Sequence, residues 1–257
     1  MENNLYDILK YMCQEYPEYA DLPIPDNHAD QFRLYRHLVN IRPPRAVSCD
    51  YRIAEDAFLQ GEAKRKGIVS LADMESVQDG IYLWQGDITR LAVDAIVNAA
   101  NDRLLGCFLP GHACIDNAIH TYAGTELRLA CHELMKSQGY PEPTGCAKIT
   151  SAFNLPSRYV LHTIGPIIHG GLKKEDCDLL AACYLSCLDL AEESGLESIA
   201  FCCISTGEFR FPREAAAKIA VQTVKERLSA TNNVKQVVFN VFKDEDYAIY
   251  EQLLAND

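Results

Sequence analysis

The sequence predicts an α/β fold, a largely parallel sheet covered by helices on both faces, preceded by a helical N-terminal extension. Two observations predict it. From about residue 80 onward, short apolar runs alternate with helix-length stretches, the pattern of strands joined by helical crossovers. Before residue 75, apolar residues recur only at helical spacing and carry no chemical motif of their own.

In the extension, residues 5–16 place Leu5, Ile8, Leu9 and Met12 on one helix face, and Pro17 with the Leu22-Pro23-Ile24-Pro25 segment ends that helix. Residues 31–41 repeat the pattern with Phe32, Tyr35, Leu38 and Val39 and stop at Pro43-Pro44. Residues 54–66 form a third candidate helix, closed by Gly67. The chain thus divides into a helical extension, 1–75, and an α/β domain, 76–257. Within the latter the expected strands are 81–85, 95–98, 147–152, 159–163, 198–204 and 236–241. The expected helices are 114–137, 176–194, 213–229 and 245–254. Ligands of such folds bind outside the carboxyl ends of the strands. Polar, glycine-containing segments follow strand ends at 98–111 and 205–210.

Composition excludes several classes. A formal net charge of −12 makes the chain a poor general binder of nucleic-acid backbone, where affinity comes largely from Lys and Arg. It leaves room for a small phosphorylated ligand held by backbone N–H groups. No apolar run reaches the length on the order of 18 residues that a membrane span needs. The N-terminus lacks the basic and apolar regions of a secretory signal, so the expectation is a cytoplasmic protein. The eleven cysteines are odd in number and irregularly spaced, which argues against a disulfide framework. Cys177, Cys183, Cys187, Cys202 and Cys203 sit in apolar surroundings and read as small core residues.

Four segments carry chemistry. Gln85-Gly86-Asp87-Ile88-Thr89 follows a strand. A carboxylate there can accept hydrogen bonds from an exocyclic amine, although Asp87 capping a helix is the plainer reading of the segment alone. Asn98-Ala99-Ala100-Asn101 follows the next strand and offers amide donors and acceptors. Ile204-Ser205-Thr206-Gly207-Glu208-Phe209-Arg210 precedes a helix start and can present several N–H groups to an anion such as a diphosphate. Finally, Gly106-Cys107-Phe108-Leu109-Pro110-Gly111-His112-Ala113-Cys114 brings two thiols and one imidazole into eight residues. These are preferred zinc ligands, and three protein ligands with a fourth position open describe a catalytic site. A structural zinc, or two structural cysteines beside a surface histidine, is the competing reading. His120 and Cys131 are alternative ligands nearby, with neither facing the loop in an obvious way.

Taken together, these segments, with Asp94-Ala95-Ile96-Val97 and Ile119-His120-Thr121-Tyr122-Ala123-Gly124, resemble the macrodomain family over residues 80–257. Members of that family bind ADP-ribose. The resemblance implies a three-layer α/β/α macrodomain with a mostly parallel mixed sheet. The sequence departs from the hydrolytic members at one place, where Cys107, His112 and Cys114 replace a run of glycines. This departure, with the helical extension, is similar to the zinc-containing subgroup of bacteria and some fungi, which implies Zn2+ on Cys107, His112 and Cys114. Asp87 and Ile88 would then bind adenine, Phe242 would stack on it, and Ser205, Thr206, Gly207, Glu208 and Phe209 would wrap the diphosphate. Asn101 would contact the distal ribose, and Asp116 aligns with an acidic residue near that ribose. The resemblance implies a hydrolase that removes mono-ADP-ribose from modified protein side chains, with ADP-ribosylated proteins, among them a lipoylated carrier protein, as substrates. Deacetylation of O-acetyl-ADP-ribose and non-catalytic reading of ADP-ribosylated proteins are the alternatives.

Overall fold

The computed structural model describes residues 4–255. The extension folds into α1 (Asn4–Gln14), α2 (His28–Ile41) and α3 (Cys49–Lys66). Leu5, Ile8, Leu9 and Met12 pack against Tyr35, Leu38, Val39, Tyr51 and Leu59 in a core separate from that of the sheet. The second and third helices begin earlier than apolar spacing predicts because their starts are set by caps. The Asn27 side chain accepts from Asp30 N at 2.9 Å, and Ser48 Oγ accepts from Tyr51 N at 3.2 Å. Each cap satisfies a donor that the first helical turn leaves open.

The remaining elements in chain order are β1 (Val69–Ser70), β2 (Ser76–Gln78), β3 (Ile81–Gln85), β4 (Leu91–Ala92), β5 (Ala95–Ala99), α4 (Ile115–Ala123), α5 (Thr125–Gln138), β6 (Ala147–Ser151), β7 (Tyr159–Thr163), α6 (Lys174–Glu193), β8 (Ser198–Phe201), α7 (Arg213–Leu228), β9 (Gln236–Val241) and α8 (Asp244–Ala255). Seven strands form one sheet in the order β2-β3-β9-β8-β5-β7-β6. The five central strands run parallel, and the two edge strands, β2 and β6, are antiparallel to their neighbours. Successive side chains of β7 point to opposite faces. His162 meets Cys131 of α5, while the neighbouring Thr163 lies beside Cys183 of α6. Helices therefore cover both faces, as the alternation of runs predicts. The short strands β1, β2 and β4, of two or three residues each, show no period that a sequence can display.

Two expectations are corrected. The helix expected over 114–137 is two helices, broken at Gly124, whose φ is +92°. Its N–H closes α4 on His120 O at 3.3 Å, and a Cβ there would lie 3.0 Å from Leu59 Cδ1 and 3.1 Å from Glu55 Oε2. Glycine thus lets α3 approach the joint closely. The strand expected over 198–204 stops at Phe201. Beyond it the chain turns, with Thr206 N bonded to Cys203 O at 3.4 Å and Ser205 at φ +64°. Cys183, Cys187 and Cys202 are buried, whereas Cys177 and Cys203 are partly exposed. Among the described residues no helix is long and apolar enough to cross a membrane.

Candidate active site

Because β3, β5, β7, β8 and β9 are parallel, the loops after their carboxyl ends emerge on one edge of the sheet. All four chemical segments read from the sequence lie in these loops. So does a fifth segment that the sequence reading passed over, Gly165-Pro166-Ile167-Ile168-His169-Gly170-Gly171 after β7.

Asp87 stands at the end of β3. Its Oδ1 accepts from Thr89 N at 3.0 Å and Thr89 Oγ1 at 2.6 Å, which opens the short helical turn Ile88–Arg90. Its Oδ2 accepts from Lys66 Nζ, at the last residue of α3, and Lys66 also donates to Thr89 Oγ1 at 2.9 Å. The ammonium lies 3.5 Å from the centre of the Tyr122 ring. Burial acts to raise the Asp87 carboxyl, but the hydrogen bonds from Lys66 and Thr89 outweigh it and hold the group below the ordinary carboxylate range. Burial in turn lowers the Lys66 ammonium against the opposing pull of Asp87. Ile88 is buried beside the loop. Phe242, just past β9 on the neighbouring strand, is 74% exposed, an open aromatic face at the same end as Asp87.

The loop after β8 is held in an unusual backbone form. Ser205 and Arg210 are non-glycine residues at φ +64° and +59°. Arg210 N bonds Gly207 O and Phe211 N bonds Ser205 O, both at 3.0 Å. The N–H groups of Gly207, Glu208 and Phe209 meet no acceptor among the described residues, as an anion cradle requires. The loop after β7 packs on this one. Ile168 N donates to Phe209 O at 2.9 Å, and a Cβ on Gly165 would fall 2.0 Å from Ser205 Oγ.

Asn101 closes the turn after β5. Its Nδ2 donates to Gly106 O at 2.8 Å and lies 3.5 Å from Asp116 Oδ2. Asp116, in the first turn of α4, is buried, and Asn98 Nδ2 donates to its Oδ1 at 2.8 Å. Burial pushes its carboxyl up to about 6, against the Asn98 bond and the Arg128 charge. The same oxygen lies 3.5 Å from His120 Nε2. His120 is buried against Gly106, at the start of the cysteine loop.

The ligand atoms of Cys107, His112 and Cys114 lie within 4.8 Å of one another. Cys114 caps α4, accepting from Asn117 N at 3.4 Å. Burial pushes its thiol up to about 12 despite that bond, and the nearby Cys107 and Asp116 act in the same direction. His112 Nδ1 is buried without a partner among the described residues, and Nε2 faces Glu208 Oε1 at 3.6 Å. Two thiols and an orphaned imidazole nitrogen are the donor set that zinc prefers, and a cation among them would stabilise the thiolates that burial opposes. The residues therefore fit zinc. His120 and Cys131 do not join the cluster. Cys131 Sγ lies 3.8 Å from His162 Nε2 inside the core.

A family model of the Macro domain matches residues 97–220. The chain is 51% identical over 252 residues to the protein-ADP-ribose hydrolase of Treponema medium, an alignment covering 96% of this chain and 97% of the relative. The chain belongs to the macrodomain family. The protein-ADP-ribose hydrolase of Staphylococcus aureus strain MRSA252 is 49% identical over 238 residues, 92% of this macrodomain chain and 89% of the relative. The Trypanosoma brucei macrodomain, solved in complex with ADP-ribose, superposes with a TM-score of 0.67 at 31% identity, covering 85% of this chain and 94% of that one.

Sequence reading passed over Lys66, Asn117 and the loop after β7. Only the last left a signal, three glycines in seven residues directly after a strand. Lys66 reaches Asp87 only through tertiary packing, while Asn117 stands three residues after Cys114 in the first turn of α4.

Proposed function

We propose that this macrodomain hydrolyses the bond joining ADP-ribose to a protein side chain, with a zinc ion on Cys107, His112 and Cys114. The observation that carries the proposal is the Cys107–His112–Cys114 cluster at the same sheet edge as the Ser205–Phe209 cradle, with His112 only 3.6 Å from Glu208. The two hydrolases that align over nearly the whole chain support the activity.

In this reading Asp87 and Ile88 receive the adenine and Phe242 covers it. The N–H groups of Gly207, Glu208 and Phe209, with Ser205 and Thr206, hold the diphosphate. The distal ribose is thereby fixed beside Asn101, converting encounter into a positioned reaction. Asn101 orients the ribose, and Asp116 acts through Asn101 by holding its amide. Water adds its oxygen to the anomeric carbon as the bond to the side chain breaks, and the water proton goes to the leaving group. When bound, zinc supplies a Lewis acid that lowers the pKa of a water or polarises an oxygen of the substrate. A lipoylated carrier protein stands in the same proposal as one candidate substrate, and the cytoplasm as its compartment.

Release of ADP-ribose from a mono-ADP-ribosylated protein, measured before and after chelation together with metal content, tests the proposal. Release should fall by about 100-fold or more on zinc removal, a factor in the range a catalytic Lewis acid supplies, and return with added zinc. Cys107→Ala with Cys114→Ala should reproduce the chelated state while ADP-ribose still binds. Full activity in that double variant would sink the zinc role. Binding without any release would make the protein a reader of ADP-ribosylation.

A further inference from the structure

Arg36 ties the extension to the metal loop. Arg36 of α2 donates Nε and Nη2 to Asn117 Oδ1, at 3.2 and 3.0 Å, and Nη2 also donates to His112 O at 2.8 Å. No carboxylate pairs with Arg36 among the described residues. Asn117 is fully buried and turns its donors the other way. Its Nδ2 lies 3.4 Å from Cys107 Sγ, 3.0 Å from Leu109 O and 2.8 Å from Asn40 Oδ1. Its backbone N–H points at Cys114 Sγ, also at 3.4 Å. Asn40 is itself pinned, with Nδ2 donating to Arg36 O at 2.6 Å and to Thr121 Oγ1 at 3.2 Å.

A single asparagine thus directs N–H donors onto both cysteine sulfurs, and an unpaired guanidinium polarises its amide from behind. Donation to Oδ1 strengthens the Nδ2–H donors. The positive charge of Arg36 complements two ligated thiolates in a half-buried setting. Groups placed in this way around ligands orient them and tune the metal. We propose that Arg36 is a positioning residue of the Cys107–His112–Cys114 site, acting through the Asn117 side chain on the Cys107 sulfur and directly on the His112 backbone, and so raising the affinity of the site for zinc. The inference rests on the zinc reading above. It gives α2 a role in the chemistry, as the outer wall of the metal centre.

The test measures zinc affinity by competition with a chromophoric chelator, and the sulfur-to-metal charge-transfer band of the cobalt(II)-substituted protein. Arg36→Met should bind zinc 10- to 100-fold more weakly, the usual effect of losing such a partner. Its charge-transfer band should move to lower energy, because a Cys107 sulfur relieved of its side-chain N–H bond donates more strongly. Arg36→Lys keeps the charge without the paired donors and should fall between the two. ADP-ribose affinity of the chelated proteins should be the same for all three, which separates the metal effect from a fold defect. Arg36→Met with wild-type zinc affinity and an unmoved band would overturn the inference while leaving the zinc reading standing. A wild-type protein that takes up no zinc would overturn both. If Arg36→Met does not fold, Arg36→Lys with a wild-type band and affinity overturns the inference by itself.

Discussion

Single residues at this sheet edge are constrained by space as much as by chemistry. Gly165 does not need glycine for its backbone angles; it needs it for room. A methyl group there would meet Ser205 Oγ at 2.0 Å and Ile204 Cγ2 at 2.8 Å. Overpacking of this kind costs about 1–3 kcal/mol when the neighbours must shift, and here the neighbour that shifts is the Ser205–Phe209 loop, the proposed anion cradle. Gly165→Ala should therefore weaken ADP-ribose binding at least tenfold by calorimetry and lower the urea midpoint. Unchanged binding would mean that the contact does not set the loop. Asp87 and Asp116 show how far environment separates two aspartates. One is held low by Lys66 and Thr89, and the other is pushed up to about 6 by burial. The sequence shows the aspartates but not this difference, since Lys66 is twenty-one residues from Asp87 and Asp116 becomes buried through tertiary packing that sets it against Asn98 of β5.

At the scale of elements, Arg128 and Glu55 fasten the extension to the sheet domain. Arg128 of α5 is buried, and its Nη1 donates to Val39 O, Asn40 O and Arg42 O at 2.7, 3.1 and 2.6 Å. These are carbonyls of the last turn of α2 and of its cap residue Arg42, an end that has no internal partners for them and favours a positive charge. Glu55 of α3 is equally buried. Its Oε2 accepts from Thr125 N and Oγ1 at the start of α5, and its Oε1 accepts from the hydroxyls of Tyr35 and Tyr51. Arg128→Met would leave buried carbonyls unpaired, at a cost of about 3 kcal/mol. Urea unfolding followed by fluorescence should register that loss, and a shift below about 0.5 kcal/mol, the usual size for an exposed substitution, would show that water replaces the guanidinium. Helix periodicity finds α2, α3 and α5, but it carries no sign that a guanidinium from one closes the end of another.

At the scale of the whole molecule, stability should depend on pH through buried histidines. His162 of β7 is fully buried, with Nδ1 3.2 Å from Asn98 Nδ2 and Nε2 2.9 Å from Thr150 Oγ1. Burial lowers its pKa to about 3. In the unfolded chain it titrates near 6.5, so below that pH the unfolded state binds a proton that the native state refuses. The group's contribution is complete above about pH 6.5 and is lost as pH falls toward 3. By pH 5 the loss from this one residue is about 2 kcal/mol. His120, also lowered by burial, acts in the same sense. Asp116, raised to about 6 by burial, acts in the opposite sense over the same window, so the histidine's share is read by comparison: between pH 7.5 and pH 5, the denaturant midpoint of metal-free His162→Gln should fall less, or rise more, than that of the wild type. An equal slope in that variant would place the proton uptake elsewhere.

What the sequence by itself determined is the alternation of strands and helices, the position of each chemical segment after a strand end, and the donor set Cys107, His112 and Cys114. All three are local, because period, turn residues and ligand spacing are written over a few consecutive positions. Only the tertiary structure decided the strand order β2-β3-β9-β8-β5-β7-β6, the break at Gly124, and the reach of the extension into the site through Lys66 and Arg36. The register of β3 with β9 joins Ile81 to Val237, and the side chains of Lys66 and Arg36 reach partners twenty-one and eighty-one residues on. Each of those side chains is an ordinary exposed-type residue in its own helix, and it acquires a role only when packing removes it from water and sets a partner opposite.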